Sequence, residues 1–349
     1  MKKIQYWEGL RTIFCLIVVI SHICLAFFPN VPRIFISMGN LSVIYFLFLS
    51  GGVLSLKTHN KLEQGNLTIN NVIKYVFYRY LRLLPVVATT LIFSSLIYAL
   101  GGIYSNELSD KYNLFLLKEY FPDGVDLYEG VYDAFLGAFY RRPILNTPLW
   151  TIKYEFFGVI FVWIIMRVMY SKRYRWNIYV FIIAIFLLID IYMSCIISGM
   201  FLFELMYNNE ETAIRIKNYI MKYKRVYLIT MFITLFFIIL GRFAIYFRWL
   251  LMLELYCAIF TFKKIQNILS KDILTVFSKY TFAVYASHWI FICSGLSYII
   301  MRLSEIFPYL EVAIILSILS IPVIVYLGWV MNTFVEKPID KVTKKIKEL

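Results

Sequence analysis

Residues 10–28 read LRTIFCLIVVISHICLAFF. This nineteen-residue run carries one formal charge, Arg11, and one imidazole, His22, well inside it. About 20 apolar residues are enough for a helix to cross the hydrocarbon core of a bilayer, so the run reads as a transmembrane helix. Its length, its histidine and the lack of a small-x-small site after it argue against a cleaved signal sequence.

Working outward, apolar runs cut by polar or basic breaks recur at 37–56, 83–104, 149–170, 177–194, 195–207, 226–246, 247–262, 281–301 and 311–333. The expected fold is all-α: a polytopic membrane protein of about ten transmembrane helices, forming one integral-membrane domain over 1–349. The stretch at about 105–148 is expected to be an acid-rich outer loop, and about 337–349 a basic cytoplasmic tail. Composition agrees, with 61% hydrophobic residues, 16% charged and a mean hydropathy of +0.73. Those values exclude a soluble monomer, a disordered tail and a secreted disulfide scaffold. Cys15, Cys24, Cys195, Cys257 and Cys293 are odd in number, show no CxxC spacing and lie in apolar runs. They read as buried free thiols, and no metal is expected.

The net charge of +14 could suggest nucleic acid, but its distribution points elsewhere. With both termini inside, 24 of the 35 Lys and Arg fall in cytoplasmic segments, eight in outer segments and three in spans. This bias is the positive-inside pattern; it favours N-in and C-in and no nucleic-acid partner.

Ionisable groups inside spans are costly and so become functional candidates. Arg11 and His22 are eleven residues apart, which leaves them about 20° apart around a helix and roughly 16 Å apart along it. One face thus offers a cation near the cytoplasmic boundary and an imidazole past the middle, toward the outside. Alone, Arg11 reads equally as a snorkelling anchor, and His22 as a buried hydrogen-bonded imidazole. Arg79 and Arg82 form an RxxR pair whose guanidiniums share one side of a helix. Such forks suit a phosphate, although each Arg is also an ordinary positive-inside flank. Near the outer end of the fourth span, Lys153 and Glu155 are i, i+2 and do not face each other. Glu155 is placed to accept from His22 or to bind a sugar hydroxyl, and equally to form an interfacial ion pair. Asp190, Glu204, Glu254 and His288 add further intramembrane groups, His288 in the inner half of the ninth span. His59 reads as solvated in a polar inner loop. No GxSxG elbow, Walker loop, HExxH or Rossmann fingerprint is present.

Together these residues resemble one family, the acyltransferase-3 membrane enzymes that O-acylate carbohydrates. Glu8-Gly9-Leu10-Arg11 with Ile20-Ser21-His22 resembles its DGLR…H opening. Phe46–Gly51 resembles FFxxSG, and Tyr78–Pro85 resembles RRxxRLxP. Leu149–Ile152 with Glu155 resembles LWSLxxE; Ser278–Phe282 with Tyr285, His288 and Trp289 resembles SYSLYLxHxP; Glu336-Lys337-Pro338 resembles the closing ExP. Glu8, Gly52, Tyr78 and Ile290 depart from the pattern, but no proposed catalytic group is lost.

The resemblance runs over about 5–340 and is to the stand-alone form, without a fused extracytoplasmic domain. It implies acetyl-CoA or another acyl-CoA as donor, a glycan acceptor at the outer face, and residence in the bacterial plasma membrane, with oligomeric state open. The catalytic candidates are His22, Glu155 and Arg11. Arg79, Arg82 and Arg11 are the donor-phosphate candidates, and Trp150, Lys153 and His288 the substrate-binding ones. In the expected mechanism the donor docks at the inner Arg residues and its thioester reaches His22, which acts as general base or transient acyl carrier. A transporter or flippase for a glycan or anionic substrate would also place charges inside the membrane. A non-enzymatic scaffold would leave Arg11, His22 and Glu155 without a purpose.

Overall fold

The computed structural model describes residues 4–65, 68–114, 117, 125–241 and 244–348. Within the expected outer loop, residues 115–116 and 118–124, with Lys118, Glu119 and Asp123, lie outside that set, as do Arg242 and the last residue of the tail. Among the described residues there are helices and no strands, as the apolar runs imply.

In chain order the helices are α1 (Gln5–Phe27), α2 (Arg33–Glu63), α3 (Ile69–Ala99), α4 (Ser105–Tyr112), α5 (Leu127–Phe135), α6 (Ile152–Met169), α7 (Arg175–Ile189), α8 (Ile191–Tyr207), α9 (Glu210–Lys222), α10 (Lys224–Leu240) and α11 (Ala244–Thr261). They continue with α12 (Lys263–Leu269), α13 (Asp272–Thr275), α14 (Thr281–Phe291), α15 (Ser297–Leu303), α16 (Tyr309–Met331) and α17 (Lys337–Glu348). A 3-10 turn at Thr147–Thr151 leads into α6, and π turns at Ile292–Leu296 and Asn332–Glu336 join α14 to α15 and α16 to α17.

Each expected span coincides with a helix. Seven described helices are long and apolar enough to cross a membrane, and the pair α8 and α9, bent by 97°, makes an eighth if taken as one span. The gap from ten arises from short helices. α7 has 15 residues and α8 and α10 have 17 each, which reach about 22 to 26 Å at 1.5 Å per residue.

Two boundaries differ from expectation for local reasons. The break between the fifth and sixth spans falls at Asp190 rather than after residue 194. The Asp190 carboxylate accepts from the N–H groups of Tyr192 and Met193 at 3.0 and 3.3 Å, capping α8. α3 starts well before the expected residue 83, so the RYLR segment lies inside a continuous helix rather than on its flank. It stops at Ala99, just before Gly101 takes φ +69°, a conformation open to glycine.

The chain forms two compact units. The first comprises residues 1–11, 40–77 and 154–275. At its centre α2 and α8 touch backbone to backbone. A Cβ on Gly51 would lie 1.8 Å from the Ile196 carbonyl oxygen, and one on Gly199 1.9 Å from that of Phe48. Close approach of this kind is the usual role of glycine between membrane helices. Around it Trp7 stacks on Tyr256 at 4.5 Å and donates to the Tyr207 hydroxyl at 2.8 Å.

This unit also corrects the reading of His59. The residue sits in α2 and is buried, with Nδ1 3.2 Å from Glu204 and Nε2 3.2 Å from Glu63. Its polar sequence surroundings suggested solvent, yet the fully buried Glu204 of α8 claims it.

The second unit comprises residues 12–39, 78–153 and 276–349. Here α1 and α14 run parallel and in register. Cys15 bonds the Thr281 carbonyl at 3.4 Å and His22 bonds His288 at 2.7 Å, both pairs 266 residues apart in sequence. Seven residues, two helical turns, separate the rungs on each helix. α16 runs the other way, with Tyr309 donating to the Phe27 carbonyl at one end and Asn332 to the Lys279 carbonyl at the other.

The stretch read as an outer loop is partly helical in its described residues, and residues 125–139 pack along α3. Val125 N donates to the Tyr98 hydroxyl, Gly130 presses on Ser95, the Tyr80 hydroxyl donates to the Phe135 carbonyl, and the Tyr80 and Phe139 rings lie 4.7 Å apart. From Tyr98 to Tyr80 is about 27 Å of helix. Asp133, almost fully buried, ties this segment together by accepting from Arg141 Nε at 2.7 Å and Ile144 N at 3.0 Å.

A candidate catalytic histidine pair

The register of α1 against α14 brings two imidazoles together. His22 Nδ1 and His288 Nε2 are 2.7 Å apart, the ring planes differ by 3°, and the centroids are 5.0 Å apart. A ring nitrogen lies roughly 1.15 Å from the centre of an imidazole. Two such radii plus the N···N distance account for the whole centroid separation. The rings are therefore edge to edge in one plane, with the hydrogen bond along the line of centres, and are not stacked faces.

The remaining contacts decide where the protons sit. His288 is fully buried, and its Nδ1 is 2.7 Å from the Tyr285 carbonyl oxygen. A carbonyl only accepts, so His288 Nδ1 carries a hydrogen, and in the neutral ring Nε2 holds a lone pair. That lone pair accepts from His22 Nδ1–H. In neutral His22 the remaining nitrogen, Nε2, is then a bare acceptor, and it has no hydrogen-bond partner among the described residues. His22 is half-buried where His288 is closed off. Trp289 meets the His22 ring edge-on at 5.4 Å and helps to hold its plane.

The turn that carries His288 is anchored from the entry to α6. The Tyr285 hydroxyl donates to the Pro148 carbonyl and accepts from Thr151 at 3.0 Å. Asn146 donates through Nδ2 to the Ala286 carbonyl at 2.8 Å. The arrangement is a base with a fixed tautomer, oriented by a second ring that is itself fixed to backbone.

The other expected site residues divide between the units. In the second unit Arg79 is half-buried and Arg82 is exposed, with its Nε 3.8 Å from Asp340 of α17. Trp150 and Lys153, both half-buried, lie at the entry to α6 in the same unit. In the first unit Arg11 faces Glu8 at 3.4 Å, and Glu155 accepts from the Ser50 hydroxyl at 2.9 Å.

Two expectations about the histidines change. The sequence placed them at different depths and offered Glu155, among its alternative roles, as the group that accepts from His22. The structure puts both on one rung and makes His288 the partner. The depth error came from measuring His288 from the start of an apolar run, whereas Thr281, seven residues earlier, aligns with Cys15 rather than with the start of α1. Asn146 escaped notice because no charge marks it, Thr151 stood out only as part of the LWSLxxE-like stretch, and only the equal seven-residue steps Cys15–His22 and Thr281–His288 hinted at the pairing. Among the described residues no group of His, Cys, Asp and Glu could hold a metal ion.

Residues 4–329 match a family model described as an acyltransferase domain. No curated protein matches the chain, and no solved structure does.

Proposed function

The chain belongs to the acyltransferase-3 family, and from that premise we propose that it is a membrane O-acyltransferase. It moves an acyl group, acetyl foremost, from cytoplasmic acyl-CoA to a hydroxyl of a surface or lipid-linked glycan at the outer face. The single observation that carries this reading is the bare Nε2 of His22, fixed in its tautomer by His288.

In the reaction His22 Nε2 takes the proton of the acceptor hydroxyl as its oxygen attacks the thioester carbonyl. The new C–O bond forms, the C–S bond breaks, and the departing thiolate takes the proton back from His22. While His22 is an imidazolium, its Nδ1–H is held by the lone pair of His288. A neutral imidazole in this supporting place suits a membrane site, because a carboxylate there would carry the cost of a buried charge at rest. Arg79 and Arg82 hold the donor's phosphates, which requires Arg82 to give up its long, exposed contact with Asp340. Trp150 and Lys153 serve the acceptor. Arg11, beside Glu8, and Glu155, beside Ser50, are the first unit's own candidates for this reaction. N-in and C-in orientation belongs to this reading.

The test is acyl-CoA turnover by the purified full-length protein, followed by mass spectrometry of cell-envelope glycans with and without the gene. A gain of one acetyl mass per modified sugar, dependent on the gene, is expected. Movement of a glycan across the membrane with no acyl-CoA consumed would overturn the reading in favour of transport.

A further inference from the structure

We propose that Asn146 and Thr147 form a second polar contact of the reacting site: a seat for an uncharged hydrogen-bonding group of the substrate, a hydroxyl of the acceptor or a secondary amide of the donor's pantetheine arm. The inference rests on the acyl-transfer reading above.

Asn146 is fully buried, and its amide orientation is settled by chemistry. Nδ2 donates to the Ala286 carbonyl, which cannot itself donate, so Oδ1 points the other way. Oδ1 has no hydrogen-bond partner among the described residues. Thr147, also buried, has an equally unpartnered Oγ1. A buried hydroxyl inside a helix can satisfy itself by bonding the carbonyl four residues back, as Ser94, Ser95 and Ser287 do. Thr147 has no such carbonyl, because it opens its helix. Asn146 stands at the N-cap position, yet its side chain makes no capping bond and turns to α14 instead.

Two buried polar atoms on consecutive residues, both left without partners, are costly unless something else satisfies them. Their place says what that is. Ala286, held by Asn146, is two residues from His288, and Pro148, the residue after Thr147, accepts from the Tyr285 hydroxyl. The Tyr285 carbonyl in turn fixes His288 Nδ1. The pair is thus locked to the same helical turn that orients the base. Oδ1 requires a donor and Oγ1 can give or take a hydrogen, which matches a hydroxyl or an amide and not a phosphate or carboxylate.

Thr147→Val tests the seat, because it removes only a hydroxyl that holds nothing in the fold. A purely structural hydroxyl would leave activity and thermal midpoint unchanged, or raise the midpoint. With the full-length protein at matched membrane levels, acetyl-CoA hydrolysis gives kcat and KM, and the acetyl-ester content of envelope glycans reports transfer. Thr147→Val is expected to lower the affected step about tenfold with an unchanged midpoint, and Thr147→Ser to restore it. A raised KM for acetyl-CoA assigns the seat to the donor amide. Lost transfer at unchanged KM assigns it to the acceptor hydroxyl. Wild-type rates and KM in Thr147→Val overturn the seat alone, provided His22→Ala is inactive; a bridging water then satisfies both atoms. A wild-type protein with no acyl-transfer activity overturns the acyl-transfer reading and the seat with it; an active His22→Ala overturns His22 as the base, and with it a seat placed beside that base.

Discussion

His22 Nδ1 donates to His288 Nε2 across 2.7 Å in a shared ring plane, and the far nitrogen of His288 is tied to the Tyr285 carbonyl. The chain of hydrogen bonds runs one way, from His22 through His288 to the backbone. Its direction follows from the one group in it that cannot donate, the carbonyl. The outcome is that Nε2 of His22 is the basic end.

Removing His288 leaves the Nδ1–H of His22 without its acceptor and the ring free to take the other tautomer. His288→Ala is therefore expected to reduce kcat by about 10- to 100-fold, the scale seen when the outer partner of a working imidazole is lost, with the KM for acyl-CoA unchanged. Steady-state kinetics on the purified variant reads both. A raised KM at full kcat would instead return His288 to the substrate-binding role that its sequence context suggested.

Catalysis needs the pair neutral, since a proton on His22 Nε2 removes the lone pair that accepts from the hydroxyl. The rate should be full above the apparent pKa of the pair and fall as pH drops through it. A pH profile of kcat, with the protein checked for folding at each pH, should show this single acid limb. A rate that rises as pH falls is incompatible with a histidine base.

Gly51→Ala and Gly199→Ala each place a methyl group against a backbone carbonyl, 1.8 Å from Ile196 and 1.9 Å from Phe48. Backbone cannot yield as a side-chain tip does, so α2 and α8 must separate. Overpacking of this kind costs about 1–3 kcal/mol, and each variant should melt several degrees lower in detergent. An unchanged melting temperature would mean that the two helices do not meet at these glycines.

Asp133→Ala strands the Arg141 guanidinium and the Ile144 N–H together. Breaking a buried ion pair costs about 3–5 kcal/mol. With 35% of the Arg141 side chain exposed, a smaller loss of about 2 kcal/mol is expected. Thermal unfolding should show it, and limited proteolysis should find new cleavage between residues 125 and 146. Wild-type stability would show that the segment holds to α3 without this clasp.

Much of the fold was legible because lipid imposes long apolar runs, and each run corresponds to a helix. Where the reading strayed, a local interaction had displaced an average property. Asp190 ends α7 through two backbone N–H groups, and hydropathy does not register a cap. His59 looks polar in sequence but is claimed by Glu204, 145 residues away. The residues 125–146 look like a loop because their acids suggest water, whereas Asp133 spends its charge inward on Arg141. At the site, His22 was legible as an ionisable group out of place. Its partner was not, because pairing depends on the relative rise of α1 and α14, which a single sequence does not encode as a pattern. Asn146 and Thr147 are uncharged and leave no trace in composition or periodicity.

The most direct test is the turnover of acetyl-CoA by purified, correctly folded His22→Ala beside the wild-type protein. Loss of the general base should lower kcat by about 10²- to 10⁴-fold while the thermal midpoint and donor binding hold. Turnover within about twofold of wild type, a change smaller than any general-base contribution, would contradict His22 as the base.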